Sequence, residues 1–145
     1  MGNLTGAGLL NLPADCLCTV SDASGFYGTV RMATGAGFAM ASTSESMSAD
    51  IYAENGSCFR AASIAPIRTS GHVVIPSEAT VVLDSVACGD FPLDIVKASR
   101  ITKGEVVWNF VSPDGMPLLA DYFKVVESDS GLSVKKRKGT TVIIR

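Results

Sequence analysis

One dipeptide, Asn55-Gly56, constrains what this chain can fold into more than any other feature of its sequence. Asparagine and glycine both tolerate positive φ, which a two-residue type I′ turn needs at both central positions. The turn predicts a β-hairpin over residues 47–64. In that register Tyr52 faces Phe59 across the two strands and the aromatic pair stabilises the hairpin.

The rest of the chain has the same character: short β-branched or aromatic runs separated by turns such as Ser112-Pro113-Asp114-Gly115. Turn signals recur at about the 8–12-residue spacing typical of sandwiches and barrels. We therefore predict an all-β fold, a β-sandwich or jelly-roll-like barrel of roughly eight to ten short antiparallel strands with at most one short helix. Residues 117–126 also fit a helical stripe, but a strand over 122–127 is favoured. Strands are predicted at 16–20, 26–34, 72–75, 79–86, 91–96, 105–111, 132–136 and 140–145.

The first twelve residues differ in composition from the remainder of the chain. They contain three glycines and four leucines, and Pro13 closes them. We predict an extended N-terminal arm over residues 1–12, followed by a single β domain over residues 13–145. We find no internal repeat in the sequence.

Residues 34–49 consist almost wholly of Gly, Ala, Ser, Thr and Met, with Phe38 as the one aromatic. Small residues permit close backbone approach at sheet or subunit contacts but specify strand register poorly. A mobile loop over residues 42–48 is equally consistent with this composition.

Composition excludes several classes of protein. Hydrophobic residues make up 47% of the chain and charged residues 18%, which argues against disorder. The mean hydropathy of +0.32 suggests that some apolar surface covers a neighbouring subunit. A net charge of −2 argues against nucleic acid as a partner. No apolar run approaches the ~18–20 residues of a transmembrane helix, and the start lacks a basic leader, so neither a membrane partner nor a secretion signal is predicted.

The four cysteines and the single histidine do not form a metal-binding pattern. Structural zinc sites use Cys pairs separated by two to four residues, whereas Cys16 and Cys18 are separated by one. Cys58 and Cys88 are isolated. We predict free thiols and no metal.

Two catalytic patterns have simpler interpretations. His72 and Cys88 would have to pair across one short strand, and nothing in the sequence requires that they meet. Asp129-Ser130-Gly131 is similar to the aspartic-protease loop, but its flanking residues differ, and these are also common turn residues. We predict a protein that is not an enzyme, with no catalytic residue and no cofactor.

The only run of charge is Lys135-Lys136-Arg137-Lys138. It would suit a hairpin tip that binds phosphate or contacts a capsid. The alternative is a solvated hairpin whose lysines discourage edge-to-edge aggregation, and the lack of interleaved aromatics favours it.

Aromatic residues near the end of the chain, Trp108 and Phe110 with Tyr122 and Phe123, would suit a sugar-binding platform or a core. An exposed Trp108 beside Asn109 would indicate a platform, and a buried one a core.

These observations predict a non-enzymatic structural protein of a large symmetric assembly. The concrete form is a bacteriophage virion component, such as a coat, head-decoration or head–tail protein, made in the host cytoplasm. Its partners would be copies of itself or other subunits of the assembly, held by apolar contacts and by added strands. The alternative is a carbohydrate- or ligand-binding β module. The predicted interface residues are Leu4, Leu9, Leu10, Phe38, Met40, Lys135, Lys136, Arg137, Lys138, Val142 and Ile144.

Overall fold

The computed structural model describes residues 2–62, 64–83, 91–118, 122–128 and 131–136. These residues contain no α-helix, and so none that is long and apolar enough to cross a membrane. The strands are β1 (Asn3–Gly6), β2 (Leu9–Leu12), β3 (Leu17–Val20), β4 (Asp22–Phe26), β5 (Thr29–Met32), β6 (Gly37–Met40), β7 (Asp50–Ala53), β8 (Ser57–Ala61), β9 (Ile67–Arg68), β10 (His72–Val74), β11 (Glu78–Leu83), β12 (Leu93–Lys97), β13 (Arg100–Thr102), β14 (Val107–Val111), β15 (Phe123–Ser128) and β16 (Gly131–Lys136).

Consecutive strands lie in different sheets, and each pairs in parallel with a strand one coil later. Thr29 lies 20 residues after its partner Leu9, and Cys58 lies 21 after Gly37. The interval rises to 29 residues between Glu78 and Val107, where residues 84–90 intervene. The chain therefore winds as a three-sided parallel β-helix, a form of solenoid in which each coil contacts only its neighbours.

Each side of the solenoid takes one strand from each coil. The first face holds β1, β4, β9 and β12; the second holds β2, β5, β7, β10 and β13; the third holds β3, β6, β8, β11 and β14. Met47 and Ser48 continue the first face between β4 and β9, because their N–H groups donate to the carbonyls of Arg68 and Phe26, both at 3.0 Å. The antiparallel pair β15–β16 adds to β12 at the end of this face.

The core is a set of ladders inside the solenoid, because residues in equivalent positions stack from coil to coil. The pairing places Val30, Ile51 and Val73 above one another, and all three are fully buried. Phe38 and Phe59 form the corresponding stack behind the third face. Phe59 also meets the ring of Trp108 edge-on, with 6.5 Å between centroids.

The prediction of an all-β fold is confirmed, whereas the predicted antiparallel pairing is wrong for most of the chain. Most predicted strand positions match observed strands, for example at 17–20, 72–74 and 107–111. Strand propensity reports that a segment is extended and half-buried but does not encode the direction of its partner. The described pairs are parallel except within β12, β15 and β16 and in two isolated bridges, so they do not support an antiparallel sandwich or jelly roll.

The hairpin predicted around Asn55-Gly56 is wrong. Among described non-glycine residues only Asp15 has positive φ, so Asn55 does not adopt the conformation that a type I′ turn requires. The dipeptide instead turns the corner between the second and third faces. Tyr52 is therefore 41% exposed on one face, while Phe59 is buried behind another.

The internal repeat that the sequence analysis did not find exists in the structure as the coil period. The residues predicted to be an arm lie within it: Leu9–Leu12 pair with Thr29–Met32, and Asn3 pairs with Asp22. This segment forms the first coil against the chain's own second coil.

The small-residue segment becomes a buried strand followed by a tethered loop. All four residues of Gly37–Met40 are buried, which small side chains permit. In the loop, the Ser44 hydroxyl accepts a hydrogen bond from the Ala23 N–H at 3.1 Å. The guanidinium of Arg68 donates to the carbonyls of Ala41, at 2.7 Å, and Ser44, at 2.8 Å. The loop is thus hydrogen-bonded to the body of the solenoid.

Candidate interaction surface

The first coil leaves one edge of the solenoid open. The carbonyls of Gly8 and Leu12 accept hydrogen bonds from the second coil, donated by Thr29 at 2.8 Å and Ala33 at 3.1 Å. Because alternate residues of a strand point their backbone groups to opposite sides, those of Leu9 and Asn11 point away from the second coil. β2 is the last strand of its sheet, so these groups have no strand partner among the described residues.

The same geometry holds on the third face. The carbonyls of Cys16 and Val20 accept hydrogen bonds from the second coil, each at 2.9 Å. The backbone groups of Leu17 and Thr19 therefore point to the open edge of β3. Together the two edges offer a row of donors and acceptors, the usual template for pairing with another strand.

The side chains at this end lack the features that normally protect an open edge. Leu17 is 75% exposed and Leu9 is 55% exposed. Residues 2–20 contain one charged side chain, Asp15, and no lysine. Proteins usually discourage strand addition with charges, especially lysine, on edge strands. The open edge is therefore both apolar and poor in charge.

The opposite end is covered. β16 pairs with β12, and the Leu118 N–H donates to the Phe110 carbonyl of β14 at 2.8 Å. This end is also rich in charge, since Lys103 forms an ion pair with Glu127 at 2.9 Å and further lysines lie on β15 and β16. We refer below to the edge formed by β1, β2 and β3 as the open end, and to the end covered by β15–β16 as the capped end.

A shallow apolar groove of about 270 Å³ extends from the open end across the third face. Gly37 forms part of it because a side chain there would not fit: a Cβ would lie 3.0 Å from Leu17 Cδ2 and 3.3 Å from the Cys58 carbonyl oxygen. The groove lining includes Leu17, Gly37, Ala39, Cys58, Val82 and Pro113.

The thiols near this surface are free and held in their protonated form. Cys16, Cys18 and Cys58 are free and half-buried. Burial, and to a smaller degree Cys16, raise the pKa of the Cys18 thiol; burial and then the negative charge of Asp15 raise the pKa of Cys58. Since the thiolate is the nucleophile, these thiols are poorly suited to covalent chemistry. Cys88 lies outside the described residues.

The predicted interface residues fall into different environments. Leu9 is exposed at the open end, whereas Leu4 and Leu10 are half-buried and pack against the core from the first coil. Phe38 and Met40 are core residues, at most 5% exposed, and their side chains offer no surface to a partner. Arg137, Lys138, Val142 and Ile144 lie outside the described residues.

The two described lysines of the charged run, Lys135 and Lys136, are exposed at the end of β16. The Lys136 ammonium lies over the Phe91 ring, 5.3 Å from its centroid. Both belong to the capped end, on the hairpin that covers β12, far along the solenoid from Leu9.

His72 begins β10 and its ring belongs to a surface hydrogen-bond chain. Arg100 donates to Nδ1 at 3.0 Å, so Nδ1 is the acceptor and Nε2 donates to Thr102 Oγ1 at 2.5 Å. Both ring nitrogens are occupied by neighbours from β13. Within the described ranges, no group of three or more Cys, His, Asp or Glu side chains is placed to hold a metal ion.

The aromatic residues do not form an open platform. Trp108 is half-buried with its ring against Phe59. Phe123 packs against Phe110, with 5.4 Å between ring centroids, and stacks on Phe91 at 5.7 Å. These side chains close the last coil of the core.

Comparison with known proteins gave no match to a family model, to a curated protein or to a solved structure.

Proposed function

We propose that this chain is a non-enzymatic structural protein that acts through contacts with further copies of itself or other subunits of an assembly. The observation that supports this most is the open end, where strand edges with free donors and acceptors lie beside exposed Leu9 and Leu17. A repeat protein normally needs terminal coils with a polar outer face to remain soluble alone. An apolar, unprotected first coil is better suited to a partner than to water.

A bacteriophage virion component, such as a coat, head-decoration or head–tail protein, remains the concrete form of this proposal, with the virion as its location. A solenoid whose interior is continuous from coil to coil resists bending, and one apolar end gives it a defined point of attachment. Both properties suit a part used in many identical copies. The β-branched segment at residues 140–144, including Val142 and Ile144, is proposed as a second contact on the basis of its sequence.

Size-exclusion chromatography with light scattering tests the proposal on the full chain over a wide range of concentration. We expect self-association that weakens when Leu9 and Leu17 are both changed to lysine, because two charges at the edge oppose strand addition. Val107→Lys is the matched control, since Val107 is 64% exposed but lies in the last coil. A monomer at every concentration, with no partner recovered from purified particles, would contradict the proposal.

A carbohydrate-binding module is the second candidate, and one row of side chains favours it. Asn11, Arg31 and Tyr52 occupy successive coils of the second face in one register, with all three exposed. An aromatic ring beside amide and guanidinium donors is a combination that suits sugars. Binding to a glycan array that is lost in Tyr52→Ala would support this candidate over the structural one.

A further inference from the structure

We propose that two copies of this chain associate through their open ends in a head-to-head dimer, in which β2 and β3 pair antiparallel with the edge strands of the second copy. This inference rests on the proposed function and specifies the partner and its orientation. It follows from the difference between the two ends of the solenoid.

The first step concerns which surfaces remain available for strand addition. A head-to-tail contact would place the first coil of one copy on the last coil of another. There, β12 is already paired with β16 and the Phe110 carbonyl accepts from Leu118, so two of the three faces are occupied. At the open end, by contrast, all three strands are edges.

The second step concerns symmetry. Two identical ends that meet form an isologous contact, in which the same patch serves both copies. The two-fold axis then lies perpendicular to the solenoid axis and reverses strand direction, so the pairing is antiparallel. On β2, a two-fold at Leu10 would place Leu9 opposite Asn11 of the second copy, and the outward-facing backbone groups of both residues would pair.

The third step concerns charge and area. The chain carries a net charge of −2, so two copies repel weakly overall, but residues 2–20 contribute only Asp15 to the contact. A coil of 20 residues, the interval between Leu9 and Thr29, has a perimeter of roughly 66 Å at about 3.3 Å per residue. Such an end buries less than the roughly 800 Å² per partner of a standard interface. We therefore expect a weak dimer that forms in a concentration-dependent manner.

Amide hydrogen exchange at low and high concentration of the full chain, followed residue by residue by NMR, tests the orientation. We expect the amides of Leu9, Asn11, Leu17 and Thr19 to exchange at least about tenfold more slowly at high concentration. Ile101 is the control at the capped end: the carbonyl of Thr102 accepts from Ile75, so the Ile101 amide points away from the preceding coil. Its exchange rate should not change.

Light scattering on the same samples separates the outcomes. A mass that reaches twice that of the monomer, with protection confined to the open end and lost in Leu17→Lys, supports the dimer. Protection of Ile101, a species larger than a dimer, or a dimer without protection of the edge amides would overturn the head-to-head arrangement and leave the proposed function standing. A monomer at all concentrations would contradict both.

Discussion

Asp15 and Gly35 lie one above the other at the same corner of the first two coils. Both have positive φ, +61° and +78°, and the Asp15 N–H donates to the Thr34 carbonyl at 3.1 Å. The Asp15 carboxylate occupies the space that a Cβ at position 35 would need. Gly56, with a φ of +83°, repeats the conformation at the next coil.

We predict that Gly35→Ala destabilises the protein by about 1–3 kcal/mol, because the change adds both a left-handed strain and a steric overlap. Urea denaturation measures the effect. Gly104→Ala is the control, since nothing lies within 4 Å of a Cβ there, and it should change stability by less than about 0.5 kcal/mol. Adding Asp15→Gly to Gly35→Ala should restore part of the loss. A Gly35→Ala protein as stable as the parent would contradict this account of the corner.

These corner residues carried a signal of the coil period that the sequence analysis did not use. Asp15, Gly35 and Gly56 are spaced by 20 and 21 residues, and Phe38 and Phe59 follow at the same interval. Glycine and asparagine before an apolar run were interpreted as a local hairpin turn, because the same residues suit both a hairpin and a corner. Each segment is locally consistent with either, so only the interval distinguishes them.

The second prediction concerns the interior stack. Phe59 is fully buried and contacts Trp108 edge-on, so Phe59→Ala should cost about 3–5 kcal/mol through the cavity that it leaves. Trp108 is the only tryptophan, and its fluorescence should shift to longer wavelength as water reaches the ring. Tyr52→Ala, on the outer surface, should cost less than about 1 kcal/mol. Equal losses in the two variants would contradict the assignment of Phe59 to the interior and Tyr52 to the surface.

The candidate site was less predictable than the strands. Leu9 was singled out correctly as a surface residue, but Phe38 and Met40 were assigned to the interface because the segment around them is rich in small residues. The expected close approach does occur, between Gly37 and its neighbours Leu17 and Cys58, but within the chain's own third face. Exposure of an edge depends on which strands pair, and single-chain patterning contains no such information.

The third prediction concerns Asp22. The Ser24 backbone N–H, which donates to its carboxylate at 2.9 Å, lowers the pKa of Asp22, with the side chains of Ser24 and Ser44 adding to the effect. A carboxyl with a lowered pKa contributes stability above its unfolded value, near 3.9, and loses it as the pH falls through the folded value. An NMR titration should therefore find a midpoint below that of an ordinary aspartate, raised in Ser24→Ala. An Asp22 midpoint at or above the ordinary value would contradict these hydrogen bonds.

The fourth prediction concerns Arg68, which the sequence analysis did not single out. Its guanidinium donates to the carbonyls of Ala41, Ser44 and Ala65, and partial burial lowers its pKa. Its planar fork reaches several carbonyls at once, which a lysine ammonium does not do. Arg68→Met should destabilise by about 2–3 kcal/mol, because it leaves carbonyls without donors, and Arg68→Lys should recover only part.

Hydrogen exchange adds a local measurement that separates this role from general loss of stability. The Ser44 amide donates to the Ala41 carbonyl at 2.9 Å within the loop that Arg68 holds. In Arg68→Met that amide should exchange faster, while the amide of Val73 in the fully buried stack retains protection until global unfolding. Arg31→Met, at an exposed position on β5, is the matched control and should leave both amides unchanged. Unaltered exchange at Ser44 in Arg68→Met would show that the loop is held by its other contacts, such as the hydrogen bond from Ala23 to Ser44.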